Sequence, residues 1–498
     1  MQRSQSSRPV SILGSRAARL LSLAGLLAIL VPAAARAQLT PIGPFQPVFP
    51  EDSNFVQASL KEHTPRAATG FRPNDGQSAH LLAVCNSGVA YKKFSSLSRT
   101  WSQWYYAANP TGIPTSDWDI SLPVVRTSVG VGGNNTIDGF FGYGTGSVGM
   151  PGAAEPPVVM DFGTLLTGRY FHAETALQYM TGWGPEAIQK FRVFGNCAVD
   201  GDPDGLDNLD CPLLELHHNG TTWNPVVDHG KPTSARSVLL GPQSAIAINL
   251  QSTAQVRHMV FVTARYDTED KVAIRYWDGT NWSWKDLGAP FPSADIVSPP
   301  LVVHRYDTPG APPQVNVFIV ARQRGVMNPR FQLFERYWNG ALTGNPSAGT
   351  ETLSWGGWNN YGQPFDSATG GNLLKADKKY FMTCGRVWKQ GSTLRVDLFG
   401  YVPYYEHPMT NAGTPGKLLR FFWNGGWYWD AAVGSADGEN IRTTSCFAID
   451  EASYDRVSVI ARSGAGRIYE RYFECVNGVE GAWKSNNLTK LELIRTFP

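Results

Sequence analysis

The chain has 498 residues, 43 Lys and Arg against 41 Asp and Glu, and a formal net charge of +2. Charged residues make up only 17%, while Gly (51), Trp (16), Tyr (19) and Phe (24) are plentiful. That balance offers no basic field for nucleic acid or an anionic membrane, and it suits short strands packed face to face.

In chain order the first feature is a leader. Arg3, Arg8, Arg16 and Arg19 precede a short apolar run, Leu20–Val31, and Ala35-Arg36-Ala37 follows with small residues at the peptidase positions. Residues 1–37 therefore read as a secretory signal, with a mature chain from Gln38. The run is too short to span a bilayer comfortably, and no later stretch is long and apolar enough. Cleavage removes five of the 43 basic side chains and no acid, leaving 38 against 41 and a net charge of −3. The expected location is secreted or periplasmic, with no membrane insertion and no nucleic-acid partner.

Residues 38–498 are long for one simple core, so a repeat architecture is expected within a single domain. Lys93-Phe94 followed by Trp101 is the first, partial copy of a landmark. The full landmark is a basic residue, aromatics, Asp-Gly or Asn-Gly, then Trp. Gly130, Gly132 and Gly133 have no helix pattern after them, which argues against a phosphate-binding turn. Asp138 to Gln189 is the least regular stretch. It holds a weak copy, Arg169-Tyr170-Phe171 before Trp183, and His172–Met180 is compatible with a helix.

Cys197 and Cys211 bracket Asp200, Asp202, Asp204, Asp207 and Asp210, with Gly201 and Gly205 between. Spaced Asp with a Gly break is how oxygens are set around Ca²⁺. Cys211 stands where an EF-hand needs Glu, so this is not an EF-hand. The run resembles the calcium loops of thrombospondin type 3 repeats. The five Asp are candidate ligands of a structural Ca²⁺, and Cys197 with Cys211 is the candidate disulfide; a solvated acidic loop is the alternative. Cys85, Cys384, Cys446 and Cys475 lie in strand-like runs, as buried thiols or as disulfides.

The later copies are clearer. His217-His218-Asn219-Gly220 leads to Trp223, and Arg275-Tyr276-Trp277-Asp278-Gly279 leads to Trp282 and Trp284. Arg336-Tyr337-Trp338-Asn339-Gly340 leads to Trp355 and Trp358. Arg420 precedes Phe422-Trp423-Asn424-Gly425-Gly426-Trp427, and Arg471-Tyr472-Phe473 leads to Asn477-Gly478 and Trp483. Paired aromatics end a strand, Asp-Gly or Asn-Gly supplies a tight hairpin, and Trp begins the return strand. Upstream lie strand-like runs, His258–Ala264, Val315–Ala321 and Val457–Ala461, preceded by others such as Ala245–Leu250 and Val297–Val303. Four strands per unit make the blade of a β-propeller. Phe94 to Phe473 spans six steps of about 63 residues, which gives seven four-stranded antiparallel blades with long loops. Six blades plus an insertion is the alternative. Leu488–Ile494 is expected to pair near Asn54–Leu60 and close the ring.

Sugar rings present apolar C–H faces to indole, and Arg and Glu grip their hydroxyls in forks. The candidate ligand residues are Arg275 and Trp277; Glu335, Arg336 and Trp338; Arg420 and Trp423; and Glu470, Arg471 and Tyr472. The competing role for each aromatic is packing between blades.

Tyr276-Trp277-Asp278-Gly279, Trp282-Ser283-Trp284, Asp286-Leu287-Gly288, Ser298–Val303 and Val315–Phe318 together resemble blades of the fucose-binding lectin propellers of fungi and insect-pathogenic bacteria. The resemblance spans roughly Leu213 to Leu488. It implies glycan pockets between adjacent blades, each with an Arg, a Glu and an aromatic. Ile274 and Leu419 stand where two of those Glu would be.

No HExxH, GxSxG or P-loop spacing appears. His217, His218 and His229 could form a metal or base cluster, and His304-Arg305-Tyr306 or His258 with Tyr266 are residue types used by propeller lyases on uronate polysaccharides. The expectation is a secreted lectin-like propeller with weak repeated pockets that binds glycans or glycoconjugates. The alternatives are a uronate polysaccharide lyase and a protein-interaction propeller without sugar. Asn219, Asn281 and Asn487 open glycosylation sequons.

Overall fold

The computed structural model describes strand segments between residues 40 and 198 and most of residues 212–488. The acidic 199–211 loop, with all five candidate Ca²⁺ ligands and Cys211, lies outside the described residues, as do the leader and the expected closing pair of strands.

Every regular element among the described residues is a strand. Among the described residues, seven antiparallel sheets of four or more strands follow one another, with two small two-stranded sheets beside them. Counted outward from the edge where neighbouring sheets meet, the first strands of the seven sheets are Pro65–Phe71, Val124–Val129, Tyr170–Thr181, Ala245–Asn249, Leu301–Arg305, Phe381–Gln390 and Ile441–Glu451. Each of these lies against the next, and the last, Ile441–Glu451, lies against the first. The stretch compatible with a helix is instead the Tyr170–Thr181 strand, held along its length by Ile188–Ala198. A local preference yields there to a full ladder of backbone bonds.

The first strands converge. Gln243, beside the fourth sheet's first strand, donates from Nε2 to Gly385 O at 2.8 Å and accepts from Gly385 N at 2.5 Å, reaching past the fifth sheet to the sixth. Such convergence leaves no room for side chains at some points. A Cβ on Gly241 would lie 2.7 Å from Pro299, and one on Gly385 2.7 Å from Val303. In the fourth and fifth sheets the inner edge is split, with Ser237–Leu239 and Ala294–Ile296 pairing beyond the first strands. Pro299-Pro300 interrupts the fifth, since proline cannot donate to a ladder.

The turn chemistry is mostly as read. Asn477 and Gly478 both have positive φ (53° and 77°) between Ile468–Val476 and Val479–Glu480. Asp278 caps its turn, its Oδ1 accepting from Thr280 N and Asn281 N at 2.8 and 2.7 Å. Asn339-Gly340 is different. The Gln332–Thr343 strand runs through it, with a register shift between Trp338 and Leu342, and the chain turns later.

The core lies between sheets rather than at one centre, in clusters that each draw on two neighbours. Cys384, Cys446 and Cys475 are free thiols in one cluster, and the Cys384 and Cys446 side chains touch. Burial, then its contact with Cys446, pushes the Cys384 thiol far above the usual range. Burial with Glu480 and Asp455 pushes Cys475 up to about 12. Iodoacetamide at pH 8 is therefore expected to leave all three unmodified until the protein is unfolded. Peptide mass mapping that finds any of them alkylated in the native protein would contradict this burial.

Candidate ligand-binding gap between the third and fourth sheets

One ladder position recurs. Opposite an apolar residue of the second strand, the third strand carries Lys92 (facing Leu81), Glu215 (Phe194), Ile274 (Phe261), Glu335 (Phe318), Arg420 (Phe399) and Glu470 (Ile460). All six are buried, and five are charged. Burying a charge is costly without partners, so each site must supply them.

It does. Glu335 accepts from Asn316 Nδ2 at 2.6 Å, Tyr361 OH at 2.5 Å and Asn359 Nδ2 at 3.3 Å. Arg420 holds Asp397 at 2.5 Å, Glu480 at 2.7 Å and Asp430 at 3.0 Å, and these acids raise its pKa against the opposing effect of burial. Glu470 accepts from Arg456 Nη2 and Ser458 Oγ at 2.7 Å, and from Asn486 Nδ2 and Trp101 Nε1 at 2.8 Å. These three side chains are committed within the protein.

The landmark Trp has an equally regular place. It packs edge-on against the second-strand Phe of the preceding sheet. The pairs are Trp282–Phe194 (6.0 Å, 79°), Trp355–Phe261 (5.9 Å, 79°), Trp427–Phe318 (5.1 Å, 75°) and Trp483–Phe399 (6.2 Å, 90°). Edge-to-face pairs of this kind add to area burial. These indoles are wedges between sheets. Trp338 is wholly buried, with Nε1 donating to Ala341 O at 2.5 Å.

Strand alternation separates the residues that sequence had grouped. Neighbours in a strand point to opposite faces. Glu335 faces the sixth sheet, among Phe318, Leu333 and Phe421. Arg336 faces the fourth, near Gly288, where it donates to Gly356 O at 2.8 Å and lies 5.9 Å over Trp358. The same holds for Glu470, bonded to Trp101 of the first sheet, and Arg471, bonded to Val433 O at 2.9 Å. Tyr472 lies 3.5 Å under Arg456, and Trp423 lies 5.4 Å from Arg305. Neither Glu-Arg pair forms one pocket.

The alternation instead brings a Glu of one sheet to an Arg of the next, and the third and fourth sheets supply both. The third contributes Arg192, Phe194, Glu215 and His217, all on one face. The fourth contributes His258, Arg275, Trp277, Trp282 and Trp284. Arg192 pairs with one Glu215 oxygen, and His229 Nε2 lies 2.6 Å from the other. Arg275 Nε donates to His229 Nδ1 at 3.4 Å, so Nδ1 accepts and Nε2–H is the donor to Glu215. The Arg192 guanidinium lies 5.3 Å over Trp277 and 5.2 Å over Trp282, and that of Arg275 lies 5.2 Å over Trp284. Burial opposes ionisation of Glu215, but His229 and Arg192 outweigh it and hold its pKa below the usual value. Arg275 and the three Trp are half-buried, so this layer is reached from solvent.

Of the sequence candidates, Arg275 and Trp277 meet here. Arg192, Glu215 and the Trp282–Trp284 pair were missed as site residues. Glu215 and Arg192 sit in runs without the full landmark, and only the pairing register reveals that Glu215 is the equivalent of Glu335. No group of three or more His, Cys, Asp or Glu placed to hold a metal occurs among the described residues, so His217 and His229 make no such cluster there.

No family model matches the sequence. No curated protein matches it. Solved structures do. The chain is similar to the lectin of Aleuria aurantia in complex with Fucα1-6GlcNAc, at 11% identity and a TM-score of 0.39, over 85% of this chain and 96% of that one. It is similar to AofleA of Arthrobotrys oligospora at 13% and 0.37, over 86% and 88%. It is also similar to the NanB sialidase of Streptococcus pneumoniae at 10% and 0.37, over 90% and 71%. At these identities and TM-scores the likeness assigns neither a function nor any residue of the site.

Proposed function

We propose that this protein is a secreted seven-bladed β-propeller that binds carbohydrate in the gap between its third and fourth sheets. Seven blades are supported by seven successive first strands, each against the next and the last against the first. The observation that carries the binding site is two half-buried indoles and one half-buried guanidinium, Trp277, Trp284 and Arg275, gathered at a single gap around the Trp282 wedge. Indole faces stack on sugar C–H surfaces, and a guanidinium fork grips paired oxygens. The resemblance of residues 213–488 to lectin blades points the same way.

One gap dominates the proposed binding. The next gap repeats half of the set, Arg336 with Trp358, but Ile274 stands where Glu215 stands in the first. In three later gaps Glu335, Arg420 and Glu470 are satisfied within the protein. A Ca²⁺ held by the 200–210 aspartates and a Cys197–Cys211 disulfide belong to this reading as braces of the third sheet's long connection.

A glycan array tests it. The wild-type protein is expected to bind a restricted set of glycans, and Arg275→Ala and Trp284→Ala to weaken that binding by about tenfold or more. A folded wild-type protein that binds no glycan would refute the reading.

A further inference from the structure

The charges in this gap do not balance. Glu215 is the carboxylate facing two guanidiniums, and it is already taken by Arg192 and His229. The buried guanidiniums among the described residues meet acids directly: besides Arg192, Arg257 meets Glu351, Arg420 meets Asp397, and Arg456 meets Glu470, whereas Arg275 is half-buried. Arg275 meets none; it donates through Nε to His229 Nδ1, and its terminal nitrogens make no hydrogen bond to the described residues. Asp286, two positions past Trp284 on the same strand, acts on Arg336 and Tyr266 instead. Two further observations agree. Burial draws the Arg275 pKa below its usual value, opposed by Glu215. His258, facing the same gap, is kept neutral first by burial and then by the charges of Arg192, His217 and Arg257.

We infer that this gap takes a saccharide bearing an anionic group, a carboxylate or a sulfate ester, received by the terminal nitrogens of Arg275 with a sugar face on Trp284. The inference rests on the carbohydrate reading above. A planar fork matches two oxygens of either anion, and a half-buried guanidinium meets them with less competition from water. The Trp284 indole, 5.2 Å from that guanidinium, offers an apolar surface beside it.

Calorimetric titration with two matched pairs of probes tests it. One pair is trigalacturonate and its methyl ester; the other is a sulfated galactose oligosaccharide and its desulfated form. The expected result is that one charged probe binds about tenfold tighter than its neutral partner, and the pair that shows it tells carboxylate from sulfate. Arg275→Ala should abolish that preference, and Arg275→Lys should keep only part of it, because an ammonium keeps the charge without the fork. Trp284→Ala should weaken charged and neutral probes alike. Equal binding of charged and neutral probes overturns the inference while leaving the carbohydrate reading intact. A charged preference that survives Arg275→Ala overturns the assignment to this gap. Binding of no probe of either pair overturns the inference, and an empty glycan array beside it removes the reading as well.

Discussion

Lowering the pH from 6.5 to 5 is expected to cost this protein about 2 kcal/mol of folding stability through His258 alone. His258 is 1% exposed, on the strand between Ala247 and Trp277. Burial, then the charges of Arg192, His217 and Arg257, pushes its pKa from 6.5 down to about 2. The unfolded chain therefore binds a proton below pH 6.5 that the folded chain refuses. Stability is complete above 6.5 and falls as the pH drops toward about 2, by about 1.4 kcal/mol per unit inside that window. Urea titrations from pH 7.5 to 5 should show this slope, and His258→Gln should flatten it whatever that variant costs at pH 7. An unchanged slope in His258→Gln would place the acid sensitivity elsewhere. Glu215 adds a second, more acidic limb. Its pKa is lowered, so its contribution is present above the ordinary carboxylate value and lost below it.

Glu470→Ala should destabilise the protein by about 3–5 kcal/mol, the range for breaking a buried pair from one side. Glu470 is 0% exposed and accepts four hydrogen bonds, one of them from Trp101 of the first sheet. Its removal strands Arg456, whose side chain is 2% exposed and whose other carboxylate, Glu474, lies at 3.4 Å. The same guanidinium sits 4.3 Å over Phe94 of the first sheet. The lesion thus falls where the last sheet meets the first, and it should appear as a lower urea midpoint and as faster proteolysis. Arg456→Met in the Glu470→Ala background should recover much of the loss, because the stranded charge is then gone. A single Glu470→Ala variant with the wild-type midpoint would show that the ion pair contributes nothing to closure.

Most of the strand pattern was legible in the sequence, and for local reasons. Val315–Ala321 and His258–Ala264 are strands because apolar β-branched runs bounded by turn residues have few other outcomes. Asn477-Gly478 turns because both residues tolerate positive φ. The landmark Trp was legible as a repeat, though its repetition alone did not tell a wedge between sheets from a sugar platform. Where local signals were mixed, the reading strayed: His172–Met180 became strand, and Asn339-Gly340 was passed through.

By itself the sequence determined the all-β class, the recurring four-strand unit and the residue types that any site would use. Only the tertiary structure decided which of those residues meet. Glu335 and Arg336 are adjacent in the chain, yet strand alternation sends them into different gaps. Glu215 and Arg275 are 60 residues apart in numbering, yet they face each other across one gap through His229. A site between sheets draws one wall from each, so its composition depends on register and on which face each strand turns to its neighbour. Those are set by backbone pairing over the whole sheet, which no short motif encodes.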